Sequence, residues 1–136
     1  MARPSAELIR GISIFAGLDD ASIERLAGEF TERSFEPGQE IAHEGEGGQN
    51  FFVVDEGEAE VTVHEQKVGT LKRGDSFGEI ALVDKSARTA TVTATTPMRA
   101  YGLPVWSFRP FAQEHPDVSW ALLELLAERL RTAEGR

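Results

Sequence analysis

Phe77-Gly78-Glu79-Ile80-Ala81-Leu82, with Arg88-Thr89-Ala90-Thr91-Val92 shortly after it, is the stretch that decides how this chain folds. Gly74-Asp75-Ser76 marks a turn before it, and Gly78 permits a positive φ or a close backbone approach. Ile80, Ala81, Leu82 and Val83 then form a single helical turn whose first amide N–H groups point outward as an anion cradle. Residues 89–95 alternate as a β-strand does, so Arg88 stands at the strand's entrance with its fork free to turn back over the helical turn.

Working outward, the period is two on both sides of this stretch. From about Thr31 short alternating runs are separated by turns such as Glu36-Pro37-Gly38-Gln39 and Gly45-Glu46-Gly47-Gly48. Residues 51–54, 59–63, 68–71, 89–95 and 99–103 read as strands, spaced as in a small barrel or sandwich with antiparallel edges. Gly45, Gly47, Gly48 and Gly57 read as positive-φ turn residues without a ligand contact. Before the strands, Asp19 or Asp20 caps a helix that carries Ile23, Leu26, Ala27 and Phe30 on one face.

After Pro104 helical spacing returns, first in a short segment interrupted by Pro110 and then in an amphipathic run over residues 117–131. On that run Val118, Leu122, Leu125, Leu126 and Leu130, with Trp120 and Leu123 to one side, cover an arc well beyond the ~100° that one core contact requires. A second packing partner is implied, either another copy of the chain or a further domain. The order is a helical segment over about 8–30, strands over about 31–103 and helices over about 104–133, in one domain spanning 1–136.

At 136 residues, 40% hydrophobic and 27% charged, the chain has the composition of a globular domain and the length to bury roughly two-thirds of its unfolded surface. No apolar run approaches the ~18 residues of a membrane span. The polar amino end, Met1-Ala2-Arg3-Pro4-Ser5-Ala6-Glu7, argues against a secretory signal, and a cytoplasmic location is expected. The absence of cysteine excludes disulfides, thiolate metal sites and cysteine nucleophiles. With 14 basic against 23 acidic residues, the net charge of -9 opposes direct nucleic-acid binding, so an anionic ligand needs a local device. Residues 77–92 supply one: Glu79 and Asp84 against Lys85 and Arg88 sum to zero.

Free amides, a guanidinium and a hydroxyl suit a compact, singly charged phosphate, at about 1.5–3 kcal/mol for each charge-assisted hydrogen bond. A carboxylate beside an anion site makes sense when the ligand also carries a neutral hydroxyl near its phosphate. A ribose 2′-OH meets that requirement.

Together these residues resemble the phosphate-binding cassette of the cyclic nucleotide-binding domain family, found in cyclic-nucleotide-dependent kinases, gated channels and the bacterial catabolite activator protein. Glu44-Gly45-Glu46-Gly47-Gly48-Gln49-Asn50-Phe51-Phe52-Val53-Val54, followed by Glu56-Gly57-Glu58-Ala59-Glu60-Val61, is similar to that family's glycine-punctuated hairpin. Phe15-Ala16-Gly17-Leu18 resembles its opening motif. The resemblance covers roughly residues 8–131. It implies a mainly β fold with flanking helices (α+β), an eight-stranded β-roll or jelly-roll barrel, and a non-catalytic sensor domain for cAMP or cGMP with no further cofactor.

By this resemblance Glu79 binds the ribose 2′-OH and Arg88 the exocyclic phosphate oxygens. The backbone of Gly78, Ile80 and Ala81, with Thr89, holds the phosphate and its surroundings, and Phe77 and Ala90 complete the candidate ligand-binding set. A hydroxyl directly after the arginine often accompanies cGMP binding in relatives, though cAMP-preferring channels share it. Ala87 stands where many relatives have proline. The family closes the site with a residue from its carboxyl-terminal helix, for which Thr132, Ala133 and Glu134 are the last candidates here. Val61, Val63 and Leu71 line either the base pocket or the core.

Two rival readings stay open. The same fold without a ligand would be an assembly module pairing through the leucine face of residues 117–131. A jelly-roll metalloenzyme would want clustered ligands, whereas His43, His64 and His115 are isolated, and neither Ser76 nor Ser86 has a base at a spacing that singles it out.

Overall fold

Phe51, Phe52, Val53 and Val54 are all buried, because the strand that carries them is covered on both faces. Phe51 and Val53 point to a layer of helices, while Phe52 and Val54 point to the interior between two sheets. A run of four apolar residues in place of alternation follows directly from this two-sided burial.

The computed structural model describes residues 2–84 and 88–134. Ala87 and Ser86 therefore lie outside the described residues, as does the side chain of Glu134. The order is α1 (Ala6–Arg10), a 3-10 turn (Ser13–Phe15), α2 (Asp20–Ala27), β1 (Thr31–Phe35), β2 (Glu40–Ala42), β3 (Asn50–Glu56), β4 (Ala59–Val63), β5 (Gln66–Leu71), β6 (Ser76–Phe77), a second 3-10 turn (Glu79–Leu82), β7 (Thr91–Ala94), β8 (Met98–Pro104), α3 (Val105–Glu114) and α4 (Pro116–Glu134).

Eight antiparallel strands make two four-stranded sheets, ordered β1-β8-β3-β6 and β2-β7-β4-β5. Among the described residues no strand pairing joins one sheet to the other, so the expected barrel is an open roll. Phe35, Phe52, Val54, Ala59, Val92 and Met98 fill the space between the sheets. On the other face of the first sheet Phe51, Val53, Tyr101 and Leu103 meet Ile9, Phe15, Leu26, Phe108, Phe111 and Leu122 of the helical layer.

The helical layer follows the expected caps and faces with two differences. Asp19 caps α2, its carboxylate accepting from the Ser22 amide at 2.8 Å. That helix ends at Ala27 with Gly28 as its cap, and Phe30 is buried beyond it. Pro110 does not interrupt α3: it sits exposed inside the helix while Phe108, Phe111 and Ala112 are buried, and their packing outweighs the single backbone bond that proline forfeits.

Candidate functional site

Phe77 sets the position of the candidate cassette. β6 pairs with β3 in the register Phe52↔Phe77, and the two rings stack at 5.2 Å. Ser76 is thus a strand residue, two residues after Gly74, whose φ is 91°. Gly78 follows with φ 88°, a left-handed conformation that reverses the chain out of the sheet. The expected helical turn is present as the 3-10 turn Glu79–Leu82. Its Ala81 amide donates to the Gly78 carbonyl at 3.0 Å, while Leu82 is anchored in the core. Ile80 and Val83 face solvent.

Arg88 approaches from the other side, ahead of the strand and not within it. Its amide donates to the Glu46 carbonyl at 2.7 Å and its carbonyl accepts from the Gly45 amide at 3.0 Å, so the backbone here is tied to the glycine-rich loop. Thr89 and Ala90 form a bend, and β7 begins only at Thr91, whose hydroxyl accepts from the Glu44 amide at 2.9 Å. The Arg88 fork turns back as expected, Nη2 donating to the Asn50 carbonyl at 2.9 Å. Among the described residues it has no carboxylate partner. Burial alone holds its guanidinium below the ordinary arginine value.

Phe77, Gly78, Glu79, Ile80, Ala81, Arg88, Thr89 and Ala90 all line one cavity of about 280 Å³. That size lies near the lower end of small-ligand sites, roughly 300–1,000 Å³. Its apolar wall is built by Ala42, Val61, Leu71 and Val92; Val63 is not part of it. Arg88 and Glu79 supply opposite charges to the same space, and Glu79 is only 3% exposed.

One lining residue falls outside the sequence expectations. Arg129, on α4, reaches the cavity and pairs its Nη1 with Glu79 Oε1, an oxygen with no other partner among the described residues. Among the described residues the helical contact to the site comes from Arg129, ahead of the expected Thr132 and Ala133, neither of which lines the cavity; the side chain of Glu134 lies outside the described residues. Nothing in the sequence singles Arg129 out, because its partner Glu79 is distant in the chain and only the fold brings the two together. The glycine-rich loop is a second departure: Gly45 and Gly57 have the expected positive φ, but Gly47 and Gly48 do not, and Gly48 lies against the Arg88 side chain. The histidines stand apart, His43 with Glu40, His64 with Glu44 and His115 with Ser22.

An open antiparallel roll thus carries a glycine-led 3-10 turn, a half-buried arginine and a buried carboxylate on one cavity. The cyclic nucleotide-binding domain family matches residues 32–115 of this chain, which belongs to that family. The chain is 41% identical over 93 residues to a cAMP-dependent protein kinase regulatory subunit of Yarrowia lipolytica, the match covering 67% of this chain and 25% of that subunit. It is 40% identical over 79 residues to a cGMP-dependent protein kinase of Eimeria tenella, covering 58% of this chain and 8% of the kinase. The catabolite activator protein of Thermus thermophilus superposes with a TM-score of 0.82 at 27% identity, over 90% of this chain and 60% of that one. The chain thus spans a quarter or less of the length of these two kinase-related proteins. Among the described residues no helix is long and apolar enough to cross a membrane.

Proposed function

We propose that this chain is a non-catalytic regulatory domain that binds a cyclic mononucleotide, cAMP or cGMP, and relays occupancy to its carboxyl-terminal helices. The observation that carries this reading is the half-buried Arg88 guanidinium, without a carboxylate partner among the described residues, on the same cavity as buried Glu79. A cyclic phosphate supplies the missing anion to Arg88 and the ribose 2′-OH supplies a donor to Glu79. The base lies against Val61, Leu71 and Val92, and Thr89 offers its hydroxyl at the rim. Phe77, Gly78, Ile80, Ala81 and Ala90 shape the cradle. No bond is made or broken, and no metal is required.

The relay runs through Arg129. Its ion pair ties α4 to the turn that holds the ligand, so any rearrangement of Glu79 on binding changes the energy of α4's position, and ligand affinity and helix position are linked reciprocally. Calorimetric titration with cAMP and cGMP tests the reading: saturable binding that is lost in Arg88→Ala supports it, and no heat at millimolar nucleotide contradicts it. We place the domain in the cytoplasm, on its likeness to a cAMP-dependent protein kinase regulatory subunit.

A second reading, assembly through α4, has its own observation. Trp120, Leu123 and Leu130 are 64%, 56% and 59% exposed, and with Ala127 they recur at alternating three- and four-residue steps, the seam of a coiled coil. A second copy of the chain or a partner domain fits this seam. Sedimentation with and without nucleotide separates a ligand-sensitive dimer from one indifferent to ligand.

A further inference from the structure

Arg88 is held in place by shape. An ideal Cβ built on Gly48 would lie 1.9 Å from Arg88 Nε, 2.3 Å from Cζ and 2.6 Å from Nη2, so the stem and fork of the arginine occupy the space that any other residue at position 48 would fill. At the other terminal nitrogen, a Cβ on Gly78 would lie 2.6 Å from Nη1. The guanidinium lies in a slot between two bare Cα atoms.

The two walls differ in kind. Gly78 needs glycine for its left-handed backbone as well as for space. The φ of Gly48 is outside the left-handed region, so its backbone would accept a side chain without strain, and the three atoms nearest to such a side chain all belong to Arg88. Gly47, one residue earlier in the same loop, would meet nothing within 4 Å. The loop itself cannot easily retreat. Gly45 and Glu46 are hydrogen-bonded to the Arg88 backbone, the Gln49 carbonyl accepts from the Val105 amide at 2.9 Å, and Asn50 is paired in register with Pro104. Added bulk at position 48 must therefore be relieved by moving the flexible arginine and not the loop.

We infer that Gly48 is a positioning residue for Arg88: it orients the anion-binding fork by steric confinement, so that the charge needs no carboxylate to hold it and stays available to a phosphate. A salt bridge would orient the fork equally well, but the incoming anion would have to compete with it. Confinement between glycines, plus one bond to the Asn50 carbonyl, orients it without that competition. This inference rests on the cyclic nucleotide reading of the cavity for its effect on binding, though the slot itself does not.

The test compares Gly48→Ala, Gly47→Ala, Arg88→Ala and the double variant Gly48→Ala/Arg88→Ala. Nucleotide affinity is measured by calorimetry, and the Arg88 Nε–Hε resonance, assigned by its loss in Arg88→Ala, is recorded on the ligand-free chains. Gly48→Ala is expected to shift that resonance and to weaken binding by about ten- to hundredfold, the loss of one charge-assisted contact, with an unchanged melting temperature. Gly47→Ala should leave both readings as in the wild type. In the Arg88→Ala background, Gly48→Ala should have no further effect on affinity. An unmoved resonance in Gly48→Ala, or an equal loss of affinity with and without Arg88, overturns the inference. If the wild type binds neither nucleotide, the functional reading fails, and the resonance alone still decides whether Gly48 positions Arg88.

Discussion

The guanidinium of Arg129 on α4 is ion-paired with the carboxylate of Glu79 at the start of the cassette's 3-10 turn. The pair is asymmetric: the Glu79 side chain is 4% exposed and that of Arg129 is 56% exposed. Removing one member therefore differs in consequence from removing the other.

Arg129→Ala leaves a buried carboxylate without its counter-ion. A fully buried pair broken in this way costs about 3–5 kcal/mol, and because Arg129 is half in water we expect roughly 1–2 kcal/mol. Urea unfolding of the ligand-free variant measures it directly. Saturating nucleotide should recover part of the loss, since the ribose hydroxyl gives Glu79 a new donor.

Glu79→Gln leaves the exposed cation in water, so its stability cost is expected to stay within about 0.5 kcal/mol. Its effect belongs to binding. The wild type should prefer the ribo ligand to its 2′-deoxy analogue, and the variant should lose most of that preference. Competition titrations with cAMP and 2′-deoxy-cAMP check both statements. A ratio unchanged by the substitution would remove Glu79 from the ribose.

Two groups give the stability a pH dependence. Hydrogen bonding from Ser22, first through its side chain and then through its amide, holds the Asp19 carboxyl below its ordinary 3.8. A depressed acid stabilises the fold above its unfolded value, and that contribution is lost as pH falls through the lower, folded one. His43 moves the other way, raised above 6.5 first by its hydrogen bond to Glu40 and then by that residue's charge. Its contribution is complete below about pH 6.5 and is lost as pH rises through the folded value. Thermal melts should show Asp19→Asn destabilised at neutral pH and converging with the wild type below about pH 4. His43→Gln should converge with it on the alkaline side instead.

The cassette was legible because its parts are local. A glycine before a short apolar turn and an arginine before an alternating run declare their conformations within a few residues, and all eight candidate residues line one cavity. Arg129 was not legible: on a helix whose apolar residues set the pattern, a lone cation is indistinguishable from a solvated one until the fold brings Glu79 to it. Gly48 was misread for a related reason, since sequence marks a glycine's freedom but not which side chain fills the space beside it. β1 and β2 lack a clear apolar alternation because β1 is exposed at four of its five positions and β2 has only three residues. Pro110 misled as a helix breaker because burial of its neighbours holds α3 together across it.

Because Arg88 carries no carboxylate partner among the described residues, replacing it should weaken binding while leaving the fold intact. The direct test is calorimetric titration of the purified chain and of Arg88→Ala with cAMP and cGMP. Saturable binding to the wild type, weakened by about 2–4 kcal/mol in the variant at an unchanged melting temperature, is the predicted result. Identical isotherms for the two proteins would contradict the account.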